Sequence, residues 1–115
     1  MERDLSIQIH SYPMGNDLII LISGGQAHIG AVAVAFPQMD RIHTETITIP
    51  GHREDQLAAE IAEIAASKLN RTVTVLMGIH VDHATKEEID EIVKNVHDAM
   101  NQELERIEAY KKDCF

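Results

Sequence analysis

The chain has 115 residues, of which 44% are apolar and 3% aromatic, and its formal net charge is −9. That length builds one domain with a modest core, and the charge argues against a broad face for DNA or RNA, which needs clustered Lys and Arg. With no tryptophan, the chain also lacks the supply for a row of aromatics that stacks bases or flavins.

The first predicted strand is LSIQIHSY, with Leu5, Ile7 and Ile9 alternating against Ser6, Gln8 and His10. PMGND has the composition of a turn. Leu18 to Ile22 is continuously apolar and reads as a central strand covered on both faces. Gly24 and Gly25 break it. A third strand is expected from about His28 to Phe36, ended by Pro37 and paired with the second strand as a hairpin. IHTETITI alternates as a more exposed fourth strand, closed by Pro50 and Gly51. Leu57, Ile61, Ile64 and Leu69 have helical spacing, with Lys68 in the last turn and Asn70 as the stop. TVTVLMGIHV is a fifth strand with Val73, Val75, Met77 and Ile79 on one face. TKEEI offers a capping box, Thr85 with Glu88. A long helix follows, with an apolar stripe of Ile89, Val93, Val96, Met100, Leu104 and Ile107.

The expected architecture is a single α+β domain over residues 1–115, in the order ββββαβα. It is a two-layer domain: a mainly antiparallel five-stranded sheet with two helices on one face. Helices on one side leave the second apolar face of the central strands bare. A homodimer or higher homo-oligomer is therefore expected, and the overhang of the last helix is a second place for a partner chain. Cys114 is the single cysteine, so no disulfide forms within the chain. Arg3 and Asp4 stand where the apolar part of a leader would start, and no run reaches the roughly 18 apolar residues of a spanning helix. A cytoplasmic protein without membrane or nucleic-acid partners is the expectation.

Three segments carry candidate chemistry. In SGGQAHIG, the glycines permit a sharp turn or close approach to a ligand, and His28 stands beside the notch left by Gly30. The simpler reading is a tight turn with His28 bonded to a loop carbonyl. In GIHVDHAT, His80, Asp82 and His83 are metal-competent types between a strand and a capped helix. Asp82 or His83 can instead help to start the helix. In PGHRED, His52 and Arg53 precede a helix whose positive end can receive an anion, although Glu54 and Asp55 can satisfy that end themselves. Hydrolase chemistry finds no frame: there is no G-x-S-x-G, Walker loop or G-x-G-x-x-G.

GGQAHIGAVAVAF, TITIPGHREDQLAAEIA and VTVLMGIHVDHATKEEIDEIV together resemble the small D subunit that accompanies gallate-type decarboxylases. That family is prenylated flavin chaperone-like and similar in fold to small proteasome assembly chaperones. The resemblance implies an accessory protein, not the decarboxylase. Such a protein binds or delivers prenylated FMN for a large UbiD-type catalytic subunit acting on gallate or other hydroxyarylic acids. It further implies a cofactor site of Gly24, Gly25, His28, Gly30, His52, Arg53 and His80, with a divalent metal at His80, Asp82 and His83. Two alternatives stand beside it: an assembly chaperone that acts by protein contact alone, and a small histidine–metal enzyme. All the flavin readings require three distant histidine-bearing turns to converge.

Overall fold

The computed structural model describes residues 3–113, with side chains to residue 108. Five strands and two helices follow in the order ββββαβα: β1 (Gln8–Met14), β2 (Asp17–Gly25), β3 (Ala31–Gln38), β4 (Arg41–Thr48), α1 (Asp55–Leu69), β5 (Val73–His80) and α2 (Lys86–Asp113). Cys114 lies outside the described residues.

The strands form one sheet in the order β1-β2-β5-β3-β4. Its two hairpins, β1–β2 and β3–β4, are antiparallel. β5 enters between them, parallel to β2 and antiparallel to β3. The sheet is thus mainly antiparallel, as the short turns between the early strands implied, but β2 and β3 are not partners. The expected β2–β3 hairpin is replaced by a connection that spans the width of β5. Local sequence gives no sign of this, because a strand from beyond α1 supplies the pairing.

The β3–β4 turn is tight. Met39 and Asp40 take φ of 51° and 67°, the twist-matched geometry of a two-residue hairpin. Pro37 does not end β3; it pairs with Ile42 beside this turn. At the other end β3 starts later than its apolar pattern suggested, and His28 lies in the connection before it.

Register assigns the faces. Leu18, Ile20 and Ile22 stand opposite Val73, Val75 and Met77, which stand opposite Ala35, Ala33 and Ala31. All of these are buried. Both helices cover this face. α1 presents Ala58, Ile61, Ala62, Ala65, Ala66 and Leu69 and packs on β3, β4 and β5. Small residues on both sides bring the helix close to the sheet. α2 buries Ile92, Val96, Met100 and Leu104 and lies against β1 and α1. Its stripe is rotated from the expected one at the start: Ile92 is buried and Ile89 half exposed.

The opposite face carries Ile19, Val32, Val34, Phe36 and Leu76, all only partly covered, with Leu21 and Ile47 exposed. No described element packs over them.

The helix ends follow the sequence signals. Asn70 terminates α1 in the left-handed conformation at φ 52°. The Thr85 amide donates to Glu88 Oε1 at 2.9 Å, and the Glu88 amide donates to Thr85 Oγ1 at 3.1 Å. This is the reciprocal capping box. Arg3 closes over it, with Nε donating to Glu88 Oε2 at 2.9 Å. Hydrogen bonding to Arg3, then the Thr85 amide, holds the Glu88 carboxyl down at about 2. Thr85→Ala should cost about 1 kcal/mol of stability in denaturant unfolding.

Candidate functional site

β5 outruns β3. Their last pair is Met77 with Ala31, yet β5 continues to His80 alongside β2. Past Met77 the β3 side of β5 therefore has no strand partner, and two neighbouring segments fill the gap.

The first is the β2–β3 connection. Gln26 N–H donates to the His80 carbonyl at 2.9 Å, and Gly30 N–H donates to the Met77 carbonyl at 2.9 Å. Between these anchors the chain crosses β5 at Gly78. A Cβ on Gly78 would fall 1.4 Å from the His28 carbonyl oxygen. Glycine is what lets the backbone pass there. The second is the β4–α1 connection. Pro50 and Gly51, with φ 87° at Gly51, turn the chain so that His52 N–H donates to the Ile49 carbonyl at 3.1 Å. That conformation is the one Pro–Gly supplies in a type II turn. It aims Glu54 into the gap. Glu54 Oε2 accepts from the Ile79 amide at 3.3 Å, the group that a longer β3 would have paired. Gly30 leaves room for this carboxylate, since a Cβ there would fall 1.9 Å from Oε2.

The result is convergence. The His28 and His52 rings stack with centroids 4.3 Å apart. The His80 ring lies edge-on at 6.0 Å from His28. Three histidines separated by 24 and 28 residues in sequence share one corner of the molecule. His28 Nδ1 lies 3.0 Å from the Gln26 carbonyl, the loop bond of the simpler reading. Its Nε2 faces Glu54 Oε2 at 3.2 Å.

The other candidate residues divide by position. Arg53 and His80 line a cleft of about 470 Å³ between the starts of α1 and α2. Glu54 borders the same cleft, and Leu57, Ile79, Val81, Ile89, Ile92 and Val93 give it apolar walls. Gly24 and Gly25 instead line a separate hollow of about 230 Å³ beside Ser6 and Gln8. Gly25, at φ 60°, presses on the His80 carbonyl, where a Cβ would stand at 2.1 Å. These two glycines shape the crossing and do not line the cleft; of the three histidines only His80 lines it, with His28 and His52 beside it.

His80, Asp82 and His83 do not form one ligand set. His80 Nε2 and Asp82 Oδ1 pair at 2.7 Å, but His83 takes a left-handed turn at φ 52°, and the three donors are not gathered. The strand-to-helix bend separates what H-x-D-H spacing placed together. Among the described residues, the one gathered set of three metal-competent side chains is His28, His52 and Glu54.

Glu54 and Gly78 are the residues that sequence reasoning missed. Glu54 read as part of an acidic first helical turn. Gly78 carried a usable signal: a glycine inside an apolar strand marks close backbone approach.

Two helices on one face of a five-stranded mixed sheet make this a two-layer α+β domain. A chain from the crystal structure of a novel chaperone complex for yeast 20S proteasome assembly matches it with a TM-score of 0.50. The two are 14% identical, and the match covers 85% of this chain and 98% of that one. The chain belongs to the prenylated flavin chaperone LpdD-like family, whose domain model matches residues 1–108. No curated protein matches it.

Proposed function

We propose that this protein is a non-catalytic carrier that binds prenylated FMN and hands it to a UbiD-type decarboxylase of hydroxyarylic acids. The observation that carries the reading is the convergence of His28, His52 and His80 beside an apolar cleft. Family membership over residues 1–108 supports the cofactor class. The residues fit such a group. The cleft, about 470 Å³, falls within the roughly 300–1,000 Å³ typical of small-ligand pockets. Its aliphatic walls suit a ring system without aromatic stacking, and Arg53 on its rim offers a phosphate a cation. The cofactor-binding set is His28, His52, Arg53 and His80, with Gly24, Gly25 and Gly30 shaping their supports. The electron chemistry belongs to the cofactor and is used in the partner enzyme.

Co-expression with a flavin prenyltransferase should yield protein with flavin absorbance. Replacing His28 and His80 together by alanine should weaken uptake of the reduced cofactor at least tenfold, about 1.4 kcal/mol or more. Protein that stays colourless at saturating reduced cofactor, with no heat in calorimetry, would remove this function. Unchanged uptake by the double variant would remove the histidines from the site.

The half-covered sheet face supports a second part of the proposal, a homodimer or higher homo-oligomer. Val34 stands in the middle of that face, opposite Thr74 and Glu45. Val34→Asp places a charge there without disturbing the helix-covered core. Sedimentation should report a smaller species for the variant than for the parent. If both sediment as the same monomer, the face is not a self-association surface. The described helices include none long and apolar enough to cross a membrane. Cytoplasmic residence remains part of the proposal.

A further inference from the structure

We propose a divalent-cation site of the zinc class, formed by His28 Nε2, a ring nitrogen of His52 and the Glu54 carboxylate. It stands on geometry alone and does not rest on the flavin reading.

The donor atoms lie within 4.8 Å of one another. Ligands about 2.0–2.1 Å from a tetrahedral zinc are separated by about 3.3 Å. His28 Nε2 and Glu54 Oε2 are 3.2 Å apart, and His52 Nδ1 and Glu54 Oε1 are 3.8 Å apart. Small side-chain rotations close the set.

The electronic arrangement favours a cation. His28 Nδ1 faces a carbonyl, which only accepts, so this nitrogen carries the proton. Nε2 of the neutral ring then presents a lone pair toward a carboxylate, a second acceptor. Two acceptors 3.2 Å apart repel unless something positive lies between them. A proton on Nε2 is the simplest such charge. Yet Nε2 is a buried atom that makes no hydrogen bond among the described residues, despite the nearby oxygen. The pair lacks hydrogen-bond alignment and suits an ion seated to one side.

The surroundings are those of a ligating set. Histidines that hold metals usually donate the other ring N–H to a carbonyl or carboxylate, which fixes tautomer and orientation. His28 does this through Gln26. The carboxylate is likewise held, by the Ile79 amide on Oε2 and the Arg53 amide on Oε1. Ligands come from two connections whose paths are set by Gly78, Gly30 and the Pro50–Gly51 turn. Two histidines and one glutamate resemble exchangeable zinc sites, with three protein donors and a position open to an outside ligand. With one carboxylate, the loaded site is net positive. An oxyanion is the ligand class it would attract.

The test uses untagged full-length protein, stripped by chelator and free of flavin. Cobalt(II) serves as probe because its visible absorption reports coordination, and zinc(II) is then added to displace it. The expected result is cobalt absorption saturating at one ion per chain, bleached by stoichiometric zinc. His28→Ala, His52→Ala and Glu54→Gln should each lose affinity by more than about 100-fold, beyond the 10–100-fold typical of outer-shell changes. His43→Ala, with its ring at the other end of β4, should bind as the parent does. Glu54→Gln keeps side-chain shape and guards against variants that fail to fold. No saturable uptake at one equivalent, or equal affinity in folded Glu54→Gln and parent, overturns the site. Because flavin is absent, neither outcome depends on whether the cofactor reading holds.

Discussion

Replacing Gly78 by alanine is expected to be among the most damaging single changes in the chain. The new methyl would lie 1.4 Å from the His28 carbonyl oxygen and 2.4 Å from its carbonyl carbon. Both are backbone atoms, so no side-chain rotation relieves the overlap. Either the 26–30 connection lifts off β5 or β5 moves. Lifting breaks the Gln26 and Gly30 hydrogen bonds to β5 and withdraws His28 from His52 and Glu54. Overpacking costs on the order of 3 kcal/mol where no relaxation is available, and the lost bonds add to it. Thermal unfolding and flavin or metal uptake should fall together. Gly30→Ala is the informative contrast. The three atoms nearest its methyl all belong to the end of the Glu54 side chain, with Oε2 at 1.9 Å, and that side chain can swing aside. That variant should stay folded while losing the Glu54–Ile79 bond and the ligand set. If Gly78→Ala unfolds like the parent and binds like it, the crossing does not run over Gly78.

The second large effect lies in the α1–sheet seam. Ala62 is fully buried on the sheet-facing side of α1, and Ala31, Ala33 and Ala35 are fully buried on β3 below. Methyl groups on both sides set the spacing between layers. Ala62→Leu adds three carbons where nothing is vacant. The expected loss is about 3 kcal/mol, a fall in melting temperature on the order of 10 °C. Circular dichroism with heating measures it. Because Glu54 immediately precedes α1 as its N-cap residue, the displacement should also weaken ligand uptake at the corner. A melting temperature within about 2 °C of the parent would mean that the layers separate more readily than close packing implies.

Most of the architecture was legible because each element carries its own period. Leu18, Ile20 and Ile22 against Val73, Val75 and Met77 announce the covered face. Thr85 with Glu88, and Asn70, mark helix ends through chemistry confined to a few residues. Strand order was not legible. β5 carries the same apolar signal whether it lies at an edge or in the centre, and its position depends on where α1 returns the chain. That single misplacement explains the wrong β2–β3 pairing and the early start assigned to β3. Without β5 between the hairpins, nothing requires His28 to bridge a strand. The histidine corner was legible as three turns but not as geometry. Its missing member, Glu54, looked like helix chemistry, since an acidic residue at a helix start has an ordinary electrostatic explanation. Conversely His80, Asp82 and His83 looked like a set because they are close in sequence. A left-handed residue at position 83 leaves His83 outside the His80–Asp82 pair.

The placement of β5 also dictates an order of events in the newly made chain. The hairpins β1–β2 and β3–β4 are each local, but they share no strand ladder until residues 73–80 arrive. Before that moment β2 and β3 are both open edges rich in Ile, Val and Ala, the type most prone to pair with strands of other molecules. Translation must therefore proceed past two-thirds of the sequence before these edges are shielded, and any pause upstream of Val73 prolongs their exposure. Folding should be one late, cooperative closure and not a stepwise growth from the first hairpin. A nascent chain stalled before β5 is the species that most needs protection from aggregation.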